Sequence, residues 1–384
     1  MTLSLTKKEY ERYSRQLLIP EVGIKGQEKL KNSAVMIVGA GGLGSPASLY
    51  LAGSGIGTIG LVDYDPVDLS NLHRQVVHGA NSIGLPKVES ARTRLLDLNP
   101  EININIFNEP FTSSNAMEIA KGYDVILDGT DNFPARYLIN DVSYFLGIPF
   151  IYGSVFRFEG QVSVFNKKGF PCYRCIFPEP PPPGLVPTCE EAGVLGVLPG
   201  LIGMLQATEV IKFLLDVGTS LAGRLLIYDA LDMDFDSVKI SKNPSCVLCG
   251  SNSTVKELID YEEFCGFPGE RQNNSPKTEA GEITPRELEE KINNNEDFLL
   301  VDIREPHELN ISSLKKAVLI PLDELSNRKD ELLGYDEVVI FCRTGSRTKR
   351  ATLILKENGI KKVLELRGGI NAWARDIDPN VQEY

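Results

Sequence analysis

The sequence predicts an α/β protein: a mainly parallel sheet with helices on both faces, followed by a second, smaller α/β domain. Three observations predict it. From Lys31 onward, short apolar runs alternate with stretches of helical periodicity, a pattern that right-handed crossovers turn into a covered parallel sheet. After Cys265 the chain reads GFPGERQNNSPKTEAG, rich in Gly, Pro, Asn, Ser and charge as linkers are, and about a hundred further residues restart the alternation. A composition of 42% apolar and 24% charged residues over 384 suits a globular chain able to bury more than one core. The domain limits read from this are 1–265 and 282–384, with a linker over 266–281.

In order along the chain, Ala34–Val38, Thr58–Asp63, Ile102–Phe107 and Val125–Asp128 read as strands, with helices over Lys87–Leu98 and Pro134–Leu146 between them. Further strands follow at Phe150–Ser154 and Gly160–Phe165, then an apolar helix ending near Leu215. Its most apolar stretch, Val194–Leu205, is interrupted by Gly196, Pro199, Gly200 and Gly203. It falls short of the roughly 18 continuous apolar residues of a membrane span and reads as a buried helix. The tract from Pro178 to Gly184 (PEPPPPG) suits neither helix nor central strand and reads as an exposed, mobile loop. In the second domain, Thr284-Pro285 opens a helix, Phe298–Ile303 and Val338–Phe341 read as buried strands, and Thr348–Glu357 as a helix.

A net charge of −12 without long basic runs argues against a direct grip on nucleic acid or anionic lipid. The opening MTLSLTKKEYERYSRQ is charged and has no apolar core, so no secretory signal and no membrane anchoring are expected, and the cytoplasm is the expected compartment. Seven cysteines, an odd number, make a poor disulfide framework. Four of them form two Cys-x-x-Cys pairs, Cys172/Cys175 and Cys246/Cys249, whose spacing lets both thiolates of a pair reach one tetrahedral Zn²⁺. Such a closed set makes the metal structural rather than catalytic.

Strand Ala34–Val38 runs into Gly39-Ala-Gly41-Gly42-Leu-Gly44 and then a helix. Glycines there allow a tight turn and close approach of phosphate to a helix N-terminus. Asp63 ends the next strand, placed to hydrogen-bond a ribose. Taken alone, the pattern fits nicotinamide or flavin binding as well as other nucleotides.

The following segment, Asp63-Tyr-Asp65-Pro-Val-Asp68-Leu-Ser70-Asn71-Leu72-His-Arg74-Gln75, resembles the signature of the MoeB/ThiF family, relatives of ubiquitin-activating enzymes. The resemblance extends to Arg12-Tyr-Ser-Arg15-Gln16, to Lys87 in Pro-Lys-Val-Glu-Ser, and to Asp128-Gly-Thr-Asp131-Asn132, covering most of residues 5–250. It implies a Rossmann-like, doubly wound sheet of the ubiquitin-activating type. It further implies ATP-dependent adenylation of the C-terminal Gly-Gly of a ubiquitin-like sulfur carrier protein. Attack of a carboxylate on the α-phosphate of ATP concentrates negative charge, so the reaction needs cations and Mg²⁺ more than a base. By this resemblance Arg74 and Lys87 clamp phosphate, Asp131 is the Mg²⁺-linked carboxylate with Asn132 beside it, Asp63 takes the ribose, and Asn71 adds a polar contact. Arg15 is lent to the neighbouring subunit's ATP, implying a homodimer. The family also places zinc at the four paired cysteines and a cysteine able to attack an activated acyl or persulfide sulfur at Cys189. His73 reads as structural, and Cys265 matches nothing.

Strand Val338–Phe341 ends in Cys342-Arg-Thr-Gly-Ser-Arg347, where backbone N–H groups and arginine favour a thiolate or persulfide anion. With Val301-Asp302-Ile-Arg304-Glu-Pro306 before it and Arg367-Gly-Gly-Ile-Asn-Ala-Trp373 after it, this module resembles a rhodanese. Four residues separate Cys342 from Arg347, whereas related phosphatase loops have five, so the cradle resembles the sulfur-transferring type. One departure is Ile311-Ser-Ser-Leu-Lys-Lys-Ala317, where such modules usually carry a His-Ile-Pro-Gly-Ala-like segment. The combined expectation is adenylation of the carrier, then sulfur transfer from a Cys342 persulfide, charged by thiosulfate or a cysteine desulfurase, to give a thiocarboxylate. The alternatives are an activator that passes a modifier to protein lysines through a Cys189 thioester, a nicotinamide oxidoreductase, and a non-enzymatic carrier scaffold.

Overall fold

Short apolar runs bounded by turn residues form the strands of the first unit: β1 (Ala34–Val38), β2 (Thr58–Val62), β3 (Asn103–Phe107), β4 (Val125–Asp128), β5 (Phe150–Phe156), β6 (Glu159–Phe165), β7 (Arg224–Asp229) and β8 (Asp234–Lys239). They lie in the order β3-β2-β1-β4-β5-β6-β7-β8, parallel as far as β5 and antiparallel beyond it. The sheet is therefore mainly parallel, as expected, with an antiparallel extension through β6, β7 and β8. The structure, a computed structural model, describes residues 3–182, 192–266, 281–360 and 362–384, and these divide into two compact units on either side of residues 267–280. The linker reading, Cys189 and the end of the proline tract fall outside the described residues.

Successive side chains of a strand point to opposite faces, and β1 serves both cores. Val35 and Ile37 join one apolar cluster with helices Gly44–Gly53, Lys87–Leu98 and Val197–Leu215. Met36 and Val38 join the other, with helix Phe133–Leu146. Strand order reverses at β1, which pairs with β2 on one side and β4 on the other. In such sheets the crevice beyond the carboxyl ends of the strands at this switch point is where ligands bind.

Helix Val197–Leu215 has 19 residues and, by length and composition alone, is apolar enough to cross a membrane. Its packing shows a core helix instead. Gly203 lies so close to the Leu43 carbonyl oxygen that an added Cβ would stand 2.4 Å from it, and Gln206 Nε2 donates to the carbonyls of Asp128 (2.7 Å) and Ile151 (3.1 Å).

The second unit holds five parallel strands, β9 (Gly281–Ile283), β10 (Leu299–Asp302), β11 (Val318–Leu319), β12 (Val338–Phe341) and β13 (Val363–Leu366), in the order β11-β10-β12-β13-β9. Thr284 opens helix Pro285–Asn293 with a capping box: its hydroxyl accepts the Glu287 amide, and the Glu287 carboxylate accepts the Thr284 amide at 2.8 Å. Apolar clusters cover both faces of the sheet.

Candidate nucleotide, metal and sulfur sites

The glycine loop is dictated by backbone crowding between β1 and β4. Gly39 has φ +94°, and a Cβ there would meet the Gly129 oxygen at 2.6 Å; one on Gly44 would meet the Gly39 oxygen at 1.9 Å. No other residue fits either place. An added Cβ on Gly41 would have only the Gln75 side chain within 4 Å, at 3.6 Å, so packing does not fill the space beside this glycine. The loop feeds helix Gly44–Gly53, which has no side-chain cap; in its first turn the Ser45 amide donates to the Gly41 carbonyl at 2.9 Å, the Ala47 amide to Leu43 at 3.3 Å, and Pro46 has no N–H.

Neighbouring side chains hold this loop in place. Asp63, just past β2, accepts the amides of Ala40 (2.8 Å) and Asp65 (2.9 Å). Burial pushes its carboxyl up, against the pull of Lys87 and those two amides. His78 contacts the Ala40 carbonyl (3.1 Å) and Ser90 Oγ (2.9 Å), and burial holds its imidazole down, in the neutral form. Sequence reasoning missed this role because a lone histidine carries no pattern. Beside it, the buried Gln75 Oε1 has no partner.

Two of the expected cations stand at this crevice. Arg74 reaches the loop, its Cδ 3.8 Å from where a Gly42 Cβ would be, while its Nη1 donates to the Ser70 carbonyl at 3.0 Å. Lys87 is buried, and its Nζ pairs with Asp65 at 2.7 Å. Asp131 is exposed beyond β4; burial pushes the Tyr64 phenol up, and the charges of Asp65, Asp63 and Asp131 add to it. Asn132 caps helix Phe133–Leu146, its Oδ1 accepting the Ala135 amide at 2.9 Å. Asn71 ends a short 3₁₀ turn whose cap is Asp68.

Arg15 is not brought to this crevice. Its neighbour Gln16 donates to the Ser54 carbonyl, and Tyr13 takes a hydrogen bond from Asn99, so the segment lies where β2 begins, at the opposite end of the sheet. Arg15 itself is exposed.

The four paired cysteines do meet. Their sulfurs all lie within 4.8 Å of one another, with Cys172–Cys175 at 3.7 Å, Cys172–Cys246 at 3.5 Å and Cys175–Cys249 at 3.3 Å. A zinc ion with sulfurs about 2.3 Å away sets the corners of its tetrahedron about 3.8 Å apart, so the set fits the ion. The residues between the first pair are structural. Arg174 is fully buried, bound to Asp141 through Nε (2.9 Å) and Nη2 (2.8 Å), and Tyr261 donates to the same carboxylate (2.8 Å). Cys265 is buried in an apolar cluster, and burial pushes its thiol up to about 11.

In the second unit, Cys342 follows β12 and is wholly buried, its Sγ accepting the Gly345 amide at 3.1 Å. Its loop is gripped from helix Gly369–Asp376: the amides of Ile370 and Asn371 donate to the Cys342 and Arg343 carbonyls at 2.9 and 3.1 Å. A Cβ on Gly369 would meet both carbonyls, at 2.4 and 2.5 Å. Helix Thr348–Glu357 begins directly after the loop with no side-chain cap. Arg347 forms a two-point pair with Glu308, at 2.8 and 2.9 Å. Burial alone would raise the Glu308 carboxyl, but Arg347, the Tyr384 hydroxyl and the Glu305 amide bring it down to about 2. Neither Glu308 nor Tyr384 stands out in the sequence; the only local signal is the Glu305/Glu308 spacing of a helix-cap pair.

The model of the ThiF family matches residues 13–248, more than half of the chain. The chain belongs to the ThiF family. A rhodanese-like domain matches residues 284–376 of this family member. It is 43% identical to the "Probable adenylyltransferase/sulfurtransferase MoeZ" of Mycobacterium tuberculosis over 99% of this chain and 97% of that protein. It is 44% identical to the "Adenylyltransferase and sulfurtransferase MOCS3" of Drosophila sechellia over 99% of this chain and 86% of the other. Among solved structures, Escherichia coli MccB shares the ThiF-family fold at 23% identity and a TM-score of 0.57, over 66% of this chain and 76% of that one. The α/β reading, the doubly wound sheet and the rhodanese resemblance are borne out.

Proposed function

We propose that this protein is an adenylyltransferase and sulfurtransferase that activates a ubiquitin-like sulfur carrier. The observation that carries the reading is the occurrence, in one chain similar along its whole length to MoeZ and MOCS3, of a glycine cradle with adjoining cations and a cysteine loop lined by amides and arginine. The domain limits we assign are 1–265 and 282–384. In the first, the glycine loop at the start of helix Gly44–Gly53 takes the ATP phosphates, Arg74 and Lys87 neutralise them, and Asp63 with Asn71 and Asn132 orients the nucleoside. Lys87 exchanges its Asp65 partner for phosphate, which leaves Asp65 and Asp131 to face Mg²⁺, the ion that shields the charge of the triphosphate. The carrier's terminal carboxylate attacks the α-phosphorus and expels pyrophosphate, giving an acyl-adenylate. Arg15 completes the site of the partner in a homodimer. Zinc, held by Cys172, Cys175, Cys246 and Cys249, fixes the fold and takes no part in the chemistry.

In the second domain Cys342 accepts a sulfur atom from a donor such as thiosulfate, which leaves as sulfite, or from a cysteine desulfurase. The anionic terminal sulfur then attacks the acyl carbon and expels AMP, forming an acyl disulfide. A second thiolate, for which Cys189 is the candidate, attacks the Cys342 sulfur; a disulfide forms, the carrier thiocarboxylate departs, and a thiol reductant restores both cysteines. The compartment we assign is the cytoplasm.

The test is intact mass measurement of Gly-Gly-terminated carriers incubated with Mg-ATP, thiosulfate, a thiol reductant and the protein. A thiocarboxylate lost in Cys342→Ala, while the adenylate persists, supports the scheme. Adenylate with no sulfur from any donor returns the reading to lysine conjugation through Cys189. No adenylate on any carrier of the source genome overturns it.

A further inference from the structure

The hydrogen bonds around Arg347 run through a tyrosine that the sequence patterns leave unmarked. Glu308 Oε1 accepts both Arg347 Nη2 and the Tyr384 hydroxyl, the latter at 2.7 Å, and that hydroxyl stands 2.8 Å from Arg304 Nη1. A hydroxyl has one proton, so the direction is fixed: Arg304 donates to Tyr384, Tyr384 donates to Glu308, and Glu308 holds Arg347. The far end of this chain is rigid. Arg304 is fully buried, pinned by Asp302 at the end of β10 (2.9 and 2.6 Å) and by the Ser312 carbonyl (2.8 Å). The tyrosine backbone is held too: Asn371 Nδ2 donates to the Tyr384 carbonyl at 2.7 Å, from the helix whose amides grip the Cys342 loop. At the near end, Arg347 lies within Coulombic reach of Cys342, and its buried Nε–H has no partner. An unpaired buried donor is costly unless an acceptor arrives during the reaction. An anionic sulfur on Cys342 is such an acceptor.

We propose that Tyr384 is a positioning residue for sulfur transfer, tying Glu308 to the sheet through Arg304 so that Arg347 keeps its Nε–H free for the anionic sulfur. The proposal rests on the sulfurtransferase reading above. Its test is Tyr384→Phe in the full chain, which keeps the ring and removes only the hydroxyl. With thiosulfate as donor and cyanide as acceptor, kcat falls about tenfold, the loss expected for one hydrogen bond to a charged group. KM for thiosulfate stays within about twofold, adenylate formation is unchanged, and melting followed by Trp373 fluorescence falls by no more than about 10 °C, the scale of one such hydrogen bond, so that the variant is folded at the assay temperature. A purely structural tyrosine would leave kcat untouched in the phenylalanine variant. A kcat within about twofold of the parent overturns the proposal, as does a fall accompanied by unfolding at the assay temperature or by a change in KM. Cys342→Ala runs alongside: if it still transfers sulfur, the functional reading fails, whereas a dead Cys342→Ala with a fully active Tyr384→Phe sinks the positioning role alone.

Discussion

Replacing Glu308 with glutamine tests the charge network of the second unit, and the single tryptophan of the chain supplies its probe. Trp373 lies in the helix that grips the Cys342 loop and packs in the same apolar cluster as Phe341, so its emission reports this unit alone. The buried Glu308 carboxyl sits at about 2 against an ordinary 4.5. At about 1.4 kcal/mol per pH unit, that gap is worth about 3 kcal/mol of stability when the carboxylate is ionised. Because the folded value is the lower one, the contribution is complete above pH 4.5 and is lost as the pH falls toward 2. Glu308→Gln therefore lowers the Trp373 melting temperature near neutral pH by roughly 12–24 °C, given the roughly 4–8 °C per kcal/mol of a domain this size. The difference between parent and variant then narrows steadily from pH 4.5 downward. A difference of constant size down to pH 2.5 would refute the assignment of that stability to the ionised carboxylate.

Other expectations bear on the first unit. Lys87→Ala or Arg74→Ala lowers ATP–pyrophosphate exchange by at least about a hundredfold, the usual scale for removing a donor to developing charge, with thiosulfate–cyanide transfer unchanged in the same preparation. Arg15→Ala and Lys87→Ala subunits, each inactive alone, recover exchange activity when mixed and reassembled, because one site of the mixed dimer has both residues; an inactive mixture would place Arg15 outside its partner's site. Elemental analysis finds one zinc per chain in the parent and little in Cys246→Ser, and the variant loses several kcal/mol of stability in denaturant titration. Gly44→Ala forces a Cβ to 1.9 Å from the Gly39 oxygen, so the variant fails to bind ATP or to accumulate as folded protein.

What the sequence disclosed and what it concealed divide along physical lines. Buried strands such as β1 and β12 declare themselves as apolar runs, and the turn after β1 does so because only glycine fits where two backbones nearly touch. Paired cysteines three apart are equally legible, since metal geometry sets their spacing. The β7–β8 hairpin was not read, because every residue of β8 is exposed and its DFDSVK sequence has no face to bury. Glu308, Tyr384 and His78 carry no pattern as functional groups, since partners of each lie far along the chain: 76 residues separate Tyr384 from Glu308, and 38 separate His78 from Ala40. That Asp63 also steadies the backbone needed the structure, in which its oxygens accept the amides of Ala40 in the glycine loop and of Asp65 after β2.

The four-cysteine knot has a consequence for biosynthesis. Cys172 and Cys246 stand 74 residues apart, and the interval contains the apolar helix Val197–Leu215 and the whole β7–β8 hairpin. As the chain leaves the ribosome, β1 to β6 and the glycine loop are available long before Cys249 is made. A four-sulfur set therefore cannot be complete until the chain has been made past the glycine loop, the apolar helix and the hairpin, as far as Cys249: whatever ion it takes joins the two ends of that interval late in synthesis, after every residue of the nucleotide crevice exists.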